Sequence, residues 1–255
     1  MREIGWRHDK PASLVYVEAL DGGDPAREVP FRDAVYTLDA PFKGPGTLLV
    51  QVQNRFDAIY WSDGDWAVVT DYWFNTRNTK SYRFDPANPG KTPALLSDRN
   101  YQDRYSDPGE WAMTRNRFGE EVLARDRNGH AFLLGEGFSE DGQVPFVDRV
   151  NLQTLEKQRM YQSRIPGKME TLLEYEPLED RLLTRIESPS EYPNYYEKSL
   201  VRRKGPMQLT FFENPYASLA QVHKEVITYP REDGLELSGT LYLPAGYDPA
   251  SGEKL

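Results

Sequence analysis

A three-part pattern recurs along this sequence and limits the possible folds more than any single motif does. A strand-like run with an acidic break (WAVVTDYW, HAFLLGEG, RLLTRIES) leads to a strand with a turn (SYRFDPANPG, DRVNLQTLE, SLVRRKGP). A short closing strand follows each time (PALLSD, QRMYQS, MQLTFF). The closing strands sit near positions 95, 160 and 209, and SLVYVEALDGGDP followed by DAVYTLDAPF reads as an earlier copy. Spacings of about 50 to 65 residues fit four-stranded propeller blades with loop insertions, since blades run roughly 40 to 50 residues. An irregular β-sandwich shares the alternation and is the competing architecture. Short apolar runs separated by Gly, Pro, Asn and Asp, with no long helical period, predict an all-β chain with almost no helix before residue 220. The expectation is a partial β-propeller of about four blades, open at its N-terminal side. Leu14, Val50, Val68, Phe132, Leu134, Leu172, Leu183 and Leu209 are expected to be buried between blades.

The closing stretch, YPREDGLELSGTLYLPAGYDPASGEKL, reads like the opening of a further structure. Leu235, Leu237, Thr240, Leu241, Tyr242 and Leu243 flank Ser238-Gly239 at strand-like spacing, and Pro244 and Gly246 stop the run, which predicts a hairpin or meander. Two strands alone bury too little apolar area to offset the entropy of ordering them. The segment therefore expects more chain to pack on. Residues 1–222 are expected to form the propeller and 223–255 a linker with the first strands of a second domain. The connector NPYASLAQVHKEVITYP should leave the blades after Phe212, because Pro215 and Pro230 interrupt pairing.

Charge and composition remove several function classes. Thirty-one basic against 40 acidic residues give a net charge of −9 with no dense Lys/Arg stripe, so neither nucleic acid nor an anionic membrane is an expected partner. Arg202-Arg203-Lys204 is the nearest approach to a basic patch and reads as a solvated hairpin tip. The absence of cysteine excludes disulfides, thiolate metal sites and a cysteine nucleophile. No apolar run approaches the roughly 20 residues that cross a bilayer, and the N-terminal stretch lacks the apolar centre of a signal peptide. Either a cytosolic protein or one whose address precedes this stretch is expected.

Catalytic constellations are sparse. A Ser-His-Asp triad would need His8, His130 or His223 near a serine on a G-x-S-x-G elbow. The nearest stretch, Gly137-Phe138-Ser139-Glu140-Asp141-Gly142, has its second glycine one residue late and no helix after it, so it reads as a blade loop. Asp126-Arg127-Asn128-Gly129 resembles part of a calcium loop, but Ala124 and Gly135 stand where acids are required, which leaves a type I′ or related turn. Glu120-Glu121 and Glu179-Asp180 sit at turns. Trp61, Trp66, Trp73, Trp111, Tyr195 and Tyr196 could line a carbohydrate groove, but read better as blade packing. No catalytic residue, cofactor or metal ligand is assigned, and the substrate-binding residues are left open.

Several stretches, in order, resemble one family. VEALDGGDPAREVPFRDAVYTLDAPF, LSDRNYQDRYSDPGEW, GEGFSEDGQVPFVDRVNLQTLEKQRMYQS, ESPSEYPNYY, QLTFFENPYASL and ITYPREDGLELSGTLYLPAGYDP are similar to the propeller and domain junction of prolyl-oligopeptidase-family serine peptidases, in the glutamyl endopeptidase branch. The resemblance implies that the closing stretch leads into an α/β-hydrolase domain carrying a Ser-His-Asp triad beyond Leu255. It implies a propeller that gates peptide access, in the bacterial periplasm or secreted space, or in the plastid stroma. Glutamyl specificity would need cationic groups at the pocket, because burying a bare carboxylate is costly. Arg149, next to Asp148, is a candidate, with an ion pair holding the loop as the plainer role. Two other readings are a stand-alone propeller binding carbohydrate or protein and a propeller-fold glycoside hydrolase. The first has no use for DGLELSGTLYLP after its last blade, and the second needs converging carboxylates in an intact ring.

Overall fold

A computed structural model describes residues 1–63, 65–140, 142–219 and 222–248. Four four-stranded antiparallel sheets follow one another along the chain. Blade I comprises β1 (Arg2–Trp6), β2 (Ser13–Ala19), β3 (Asp33–Asp39) and β4 (Thr47–Val52). Blade II comprises β5 (Arg55–Trp61), β6 (Ala67–Trp73), β7 (Asn78–Phe84) and β8 (Ala94–Asn100). Blade III opens with β9 (Glu110–Trp111), which continues into a hairpin of β10 (Met113–Arg115) and β11 (Glu121–Leu123). It then runs through β12 (Ala131–Gly135), a small hairpin of β13 (Phe138–Ser139) and β14 (Gly142–Gln143), β15 (Phe146–Val150) and β16 (Lys157–Gln162). Blade IV comprises β17 (Met169–Glu176), β18 (Arg181–Glu187), β19 (Asn194–Lys198) and β20 (Met207–Gln208). The only helical element among the described residues is one 3-10 turn, Ala217–Leu219.

Neighbouring blades share cores, and the sharing explains the sequence pattern. In β6, Ala67 and Val69 face the core between blades I and II, while Val68 faces the core between II and III. In β12, Ala131 and Leu133 face blade II, while Phe132 packs toward blade IV with Val147, Tyr175 and Leu182. Side chains alternate across a strand, so a strand walled in on both sides must be apolar at every position. That is why WAVV and HAFLL read as unbroken apolar runs. Strand β18 alternates instead, with Leu182, Thr184 and Ile186 buried and Leu183 and Arg185 partly open.

Val50, Val68 and Phe132 are buried as expected. Leu14, Leu134, Leu172 and Leu183 are half-buried, and Leu209 is 42% exposed. Leu183 lies on the other face of β18 from the blade III core, and Leu209 lies past the end of the two-residue β20. SLVRRKGP is a loop, not a strand, because the Asp180 carboxylate captures the backbone N–H groups of Leu200, Val201 and Arg202 at 2.8, 3.0 and 3.1 Å. The blade IV strand at this place is β19, NYYEK.

Strand direction divides the blades into two faces. Each antiparallel sheet of four strands starts and ends at the same face, so the chain leaves β20 at the face where β17 began. We call this the exit face. The first strands of all blades run away from it.

Beyond the 3-10 turn, β21 (His223–Pro230) and β22 (Glu236–Leu243) pair, among the described residues, only with each other as a two-stranded sheet. The turn of this hairpin is at Arg231–Leu235, where the Leu235 carbonyl accepts from Arg231 N at 2.7 Å and Gly234 has φ +87°. The sequence expectation put the turn at Ser238-Gly239, but those residues lie inside β22, opposite Thr228 and Ile227. Asp233-Gly234 supplies the left-handed glycine that the turn needs. Residues 249–255, the tail of the expected second segment, lie outside the described residues.

Candidate functional site

The sequence stretches most distinctive of this chain gather at the exit face. The loop after β8, the start of β9, the end of β12 with its β13–β14 hairpin, and the start of β17 all lie there. Between blades III and IV they open a cleft of about 860 Å³, lined among others by Glu110, Trp111, Glu136, Met169, Glu174 and Arg185.

Two glycines let the backbones meet at this mouth. Gly109 has φ +88°, and a Cβ there would stand 2.2 Å from the Leu134 carbonyl oxygen. Gly137 has φ +64°, and its Cβ would stand 2.0 Å from the Val144 carbonyl oxygen. Both combine left-handed backbone with a backbone contact, so no L-side chain fits without displacing the main chain. A register shift in the β17–β18 pairing between Leu172 and Glu174 leaves Leu173 43% exposed.

The cleft carries a small excess of carboxylates over cations. Asp107, Glu110, Glu136, Glu170 and Glu174 line it with Arg185; Asp107 is paired with Arg99 at 2.9 Å and Arg185 with Glu187 at 3.0 Å, and once the pairs of Glu136 and Glu170 are also counted, Glu110 and Glu174 are the carboxylates left without an ion pair among the described residues. At the rim, Arg104 pairs with Glu136 at 2.6 Å and lies 4.1 Å over the Phe138 ring. Glu170 is a different kind of group from the rest. Its carboxylate accepts from Lys198 Nζ at 2.6 Å and from the Tyr161 hydroxyl at 2.6 Å, and Lys198 also reaches Tyr161 at 2.7 Å. Burial and the Glu170 carboxylate together push the Tyr161 hydroxyl pKa up, keeping it protonated. The triangle joins β16 of blade III to β17 and β19 of blade IV behind the cleft.

A second buried charge group lies at the same face between blades I and II. Asp33 accepts from Arg2, from Arg55 at 3.0 Å and from Phe56 N at 2.7 Å. Asp21 accepts from Arg32 at 3.0 Å and from Arg55 at 2.5 Å, and Arg32 stacks 3.7 Å over Trp73. Although burial pushes the Asp21 carboxyl up, the Arg55 and Gly23 donors outweigh it and hold it below the usual carboxylate range.

The sequence candidates are dispersed. His8 Nδ1 lies 2.8 Å from the Glu121 carbonyl, His130 Nδ1 lies 2.9 Å from the Asp126 carboxylate, and His223 Nε2 lies 3.3 Å from Glu225. Ser139 donates to the Gly142 carbonyl at 2.8 Å inside its own small hairpin, and Asp141 lies outside the described residues. Asp126–Gly129 is a turn closed by Gly129 N on the Asp126 carbonyl at 2.9 Å; only Gly129 has positive φ, so it is not type I′. Glu120 and Glu121 close the β10–β11 hairpin, while Glu179 pairs with Arg181 at 3.1 Å. Arg202 binds Asp180 and the Glu179 carbonyl, and Arg202, Arg203 and Lys204 are all exposed.

The aromatic residues do not form one groove. Trp61 packs edge-on against Phe84, Trp66 and Trp111 join the core between blades II and III, Tyr195 meets Phe212, and Trp73 lies under Arg32. Arg149 is not paired with Asp148. Asp148 pairs with Arg159 at 2.5 Å, and Arg149 donates to Gln158. Sequence neighbours in a strand point to opposite faces, so each finds its partner across the ladder, where Asp148 faces Arg159 and Arg149 faces Gln158. Sequence reasoning missed the Glu170–Lys198–Tyr161 triangle, whose members look like ordinary surface residues until β17, β19 and β16 are brought together. No cluster of metal-ligating groups and no helix long and apolar enough to cross a membrane occurs among the described residues.

Comparison with known proteins bears on both blades and terminal hairpin. No family model matches the chain. It is 38% identical over 98% of its length to a protein of Oryza sativa subsp. japonica named "Probable glutamyl endopeptidase, chloroplastic", and spans 28% of that protein. An Arabidopsis thaliana protein of the same name is 36% identical, again over 98% of this chain and 28% of its own. Among solved structures, Porphyromonas gingivalis dipeptidyl peptidase 4 matches 96% of this chain and 42% of its own, with a TM-score of 0.50 at 14% identity, a likeness of fold alone.

Proposed function

Because this chain belongs with the glutamyl endopeptidases, a branch of the prolyl-oligopeptidase family, we propose that it is the non-catalytic propeller part of a serine-type peptidase. In this reading it stands over a Ser-His-Asp site carried by an α/β-hydrolase domain that follows residue 255, and limits which peptides reach that site. One observation carries the reading: the kinship to both plant proteins runs through 98% of the chain, blades and terminal hairpin alike. The charge of the cleft supports a further division of labour. A glutamyl side chain seeks a cationic pocket, and this cleft offers no free cation: its one lining guanidinium is already paired, and Glu110 and Glu174 carry unpaired negative charge beside it. We therefore assign the recognition of glutamate to the hydrolase domain and the selection of peptide size to the blades. The relatives' name favours a plastid setting for plant forms; a periplasmic or secreted one suits bacterial forms.

The test is an assay on peptides with internal glutamates, using the isolated chain, the full-length parent and a parent lacking its predicted serine. Acyl transfer needs a nucleophile, a base within hydrogen-bond reach and oxyanion donors, and all three lie outside this chain in this reading. The parent should cleave after glutamate and the other two should not. Turnover by the isolated chain above the serine-less control would overturn the assignment.

A further inference from the structure

The cleft between blades III and IV runs along the edge of a strand, not over the face of a sheet. Every residue of β17 from Met169 to Tyr175 lines it, whereas β18 contributes only Arg185 and β19 nothing. Successive side chains of a strand point to opposite faces, so a cleft lying over one face would touch alternate residues of β17 and their neighbours in β18. Contact with every residue in turn is the mark of an edge. Among the described residues β17 pairs only with β18, so that edge keeps a row of N–H and C=O groups that no strand takes up. Across the cleft, β9 pairs only with β12 and contributes Glu110 and Trp111 to the lining.

The two edges stay apart instead of pairing with each other, because β17 is tied near both ends. Toward its start the Glu170 carboxylate is held by Lys198 and Tyr161; at its end Glu176 accepts from Thr114 of β10 at 3.2 Å. The hairpin that carries Thr114 is itself anchored in three cores. Val122 packs between blades I and II, Leu123 between II and III, and Ala124 between III and IV, exposed by 3%, 2% and 0%. The gap beside β17 is therefore built into the blades. Its lining is of two kinds: Trp111, Leu134 and Leu172 with the exposed Met169 and Leu173 supply apolar surface, and Glu110 and Glu174 supply carboxylates without an ion pair.

We propose that an extended segment of the peptide substrate, carrying lysine or arginine, lies in this cleft and adds as a strand to the free edge of β17. Main-chain pairing answers the donors and acceptors of the edge and accepts many sequences, while the pockets on either side select among side chains. A long basic side chain suits both parts of the lining, since its aliphatic stem covers apolar surface and its charged head reaches a carboxylate. An acidic segment finds no free cation there. The proposal rests on the peptidase reading above, and its experiment separates the two.

The full-length parent is given alanine- and serine-based peptides with one internal glutamate, N-methylated at one position at a time on either flank, away from the glutamate. On one flank kcat/KM should fall about three- to tenfold at every second position, the loss of one hydrogen bond each time. Lysine in place of alanine on that flank should raise kcat/KM about two- to fivefold, through KM, as an exposed ion pair does. Glu110→Gln combined with Glu174→Gln should abolish that gain and leave cleavage of the lysine-free peptide unchanged. In a parent lacking its predicted serine, the lysine peptide should slow hydrogen exchange in residues 169–176 and leave β1 and β5 as they were. An active parent with no alternation in the N-methyl series, or with exchange in β17 indifferent to the peptide, overturns the proposal. Amides of β17 that are all protected before any peptide is added would mean that the parent's own chain occupies the edge, which overturns it too. A parent that cleaves no peptide refutes the peptidase reading instead. The exchange measurement then decides the edge by itself: protection of residues 169–176 by the lysine peptide supports it, and none refutes it.

Discussion

Replacing Lys198 by methionine tests whether blades III and IV are held by a buried charge. Lys198 and Glu170 have side-chain exposures of 9% and 0%, and their contact at 2.6 Å is shared with the Tyr161 hydroxyl. Methionine fills much of the lysine volume, so the change removes charge and donors more than bulk. It leaves the Glu170 carboxylate buried with only the tyrosine hydroxyl to answer it. Breaking a buried pair from one side costs about 3–5 kcal/mol, whereas removing both partners in favour of apolar groups is near neutral. For a chain of this size that is a fall of about 6–20 °C in Tm. Urea titrations followed by tryptophan fluorescence would compare wild type, Lys198→Met, and Lys198→Met with Glu170→Leu. The double variant should recover most of the loss. A single variant within about 1 kcal/mol of wild type would refute the reasoning, since exposed pairs are worth no more than that.

Leu123→Ala, in β11 at the core between blades II and III, should cost about 2–5 kcal/mol in the same titration, as large-to-small changes in filled cores do. Gly137→Ala should cost about 1–3 kcal/mol from left-handed backbone alone, with the Val144 carbonyl contact adding to it; a neutral effect on Tm would show that the β13–β14 loop yields freely. Burial raises the Asp180 carboxyl, but Ser199 and the backbone N–H groups of Val201, Arg202 and Leu200 outweigh it and hold it below its ordinary 3.8. A depressed folded pKa gives stability that is full above the unfolded value and fades as pH falls through the folded one. Asp180→Ala should therefore flatten the loss of stability between about pH 5 and pH 2, and an unchanged acid limb would count against the clamp.

The blades were legible because each closing strand is flanked by turn residues and each shared wall is an unbroken apolar run. PALLSD and QRMYQS fall on β8 and β16 for that reason. Blade IV was misread where a single side chain overrides local preference: Asp180 takes the amides that SLVRRKGP would have offered to a ladder. Arg149 was expected in an ion pair holding its loop, but its cross-strand neighbour is Gln158, whose amide oxygen accepts from it instead. The β10–β11 hairpin was half visible. EEVLARD reads as a strand, and Asn116 and Gly119 are turn residues, but nothing local announces a partner at His8, 113 residues from Glu121. The buried charges at Asp21, Asp33, Glu170 and Lys198 were hidden for the same reason, since a charged residue declares its surroundings only after distant strands have met.

Residues 122–124 also bear on how the chain unfolds. An arc of repeated sheets that touch only their neighbours behaves as a one-dimensional array, whose end units can fray independently and whose stability is a sum of local terms. Three successive residues seated in three successive interfaces add a coupling that skips over neighbours. Loss of blade I would strip the cover from Val122, and loss of blade IV would uncover Ala124, so damage at either end is reported to the same three-residue stretch at the end of β11. The described blades should therefore melt as one cooperative unit, without the stepwise fraying of an open repeat array.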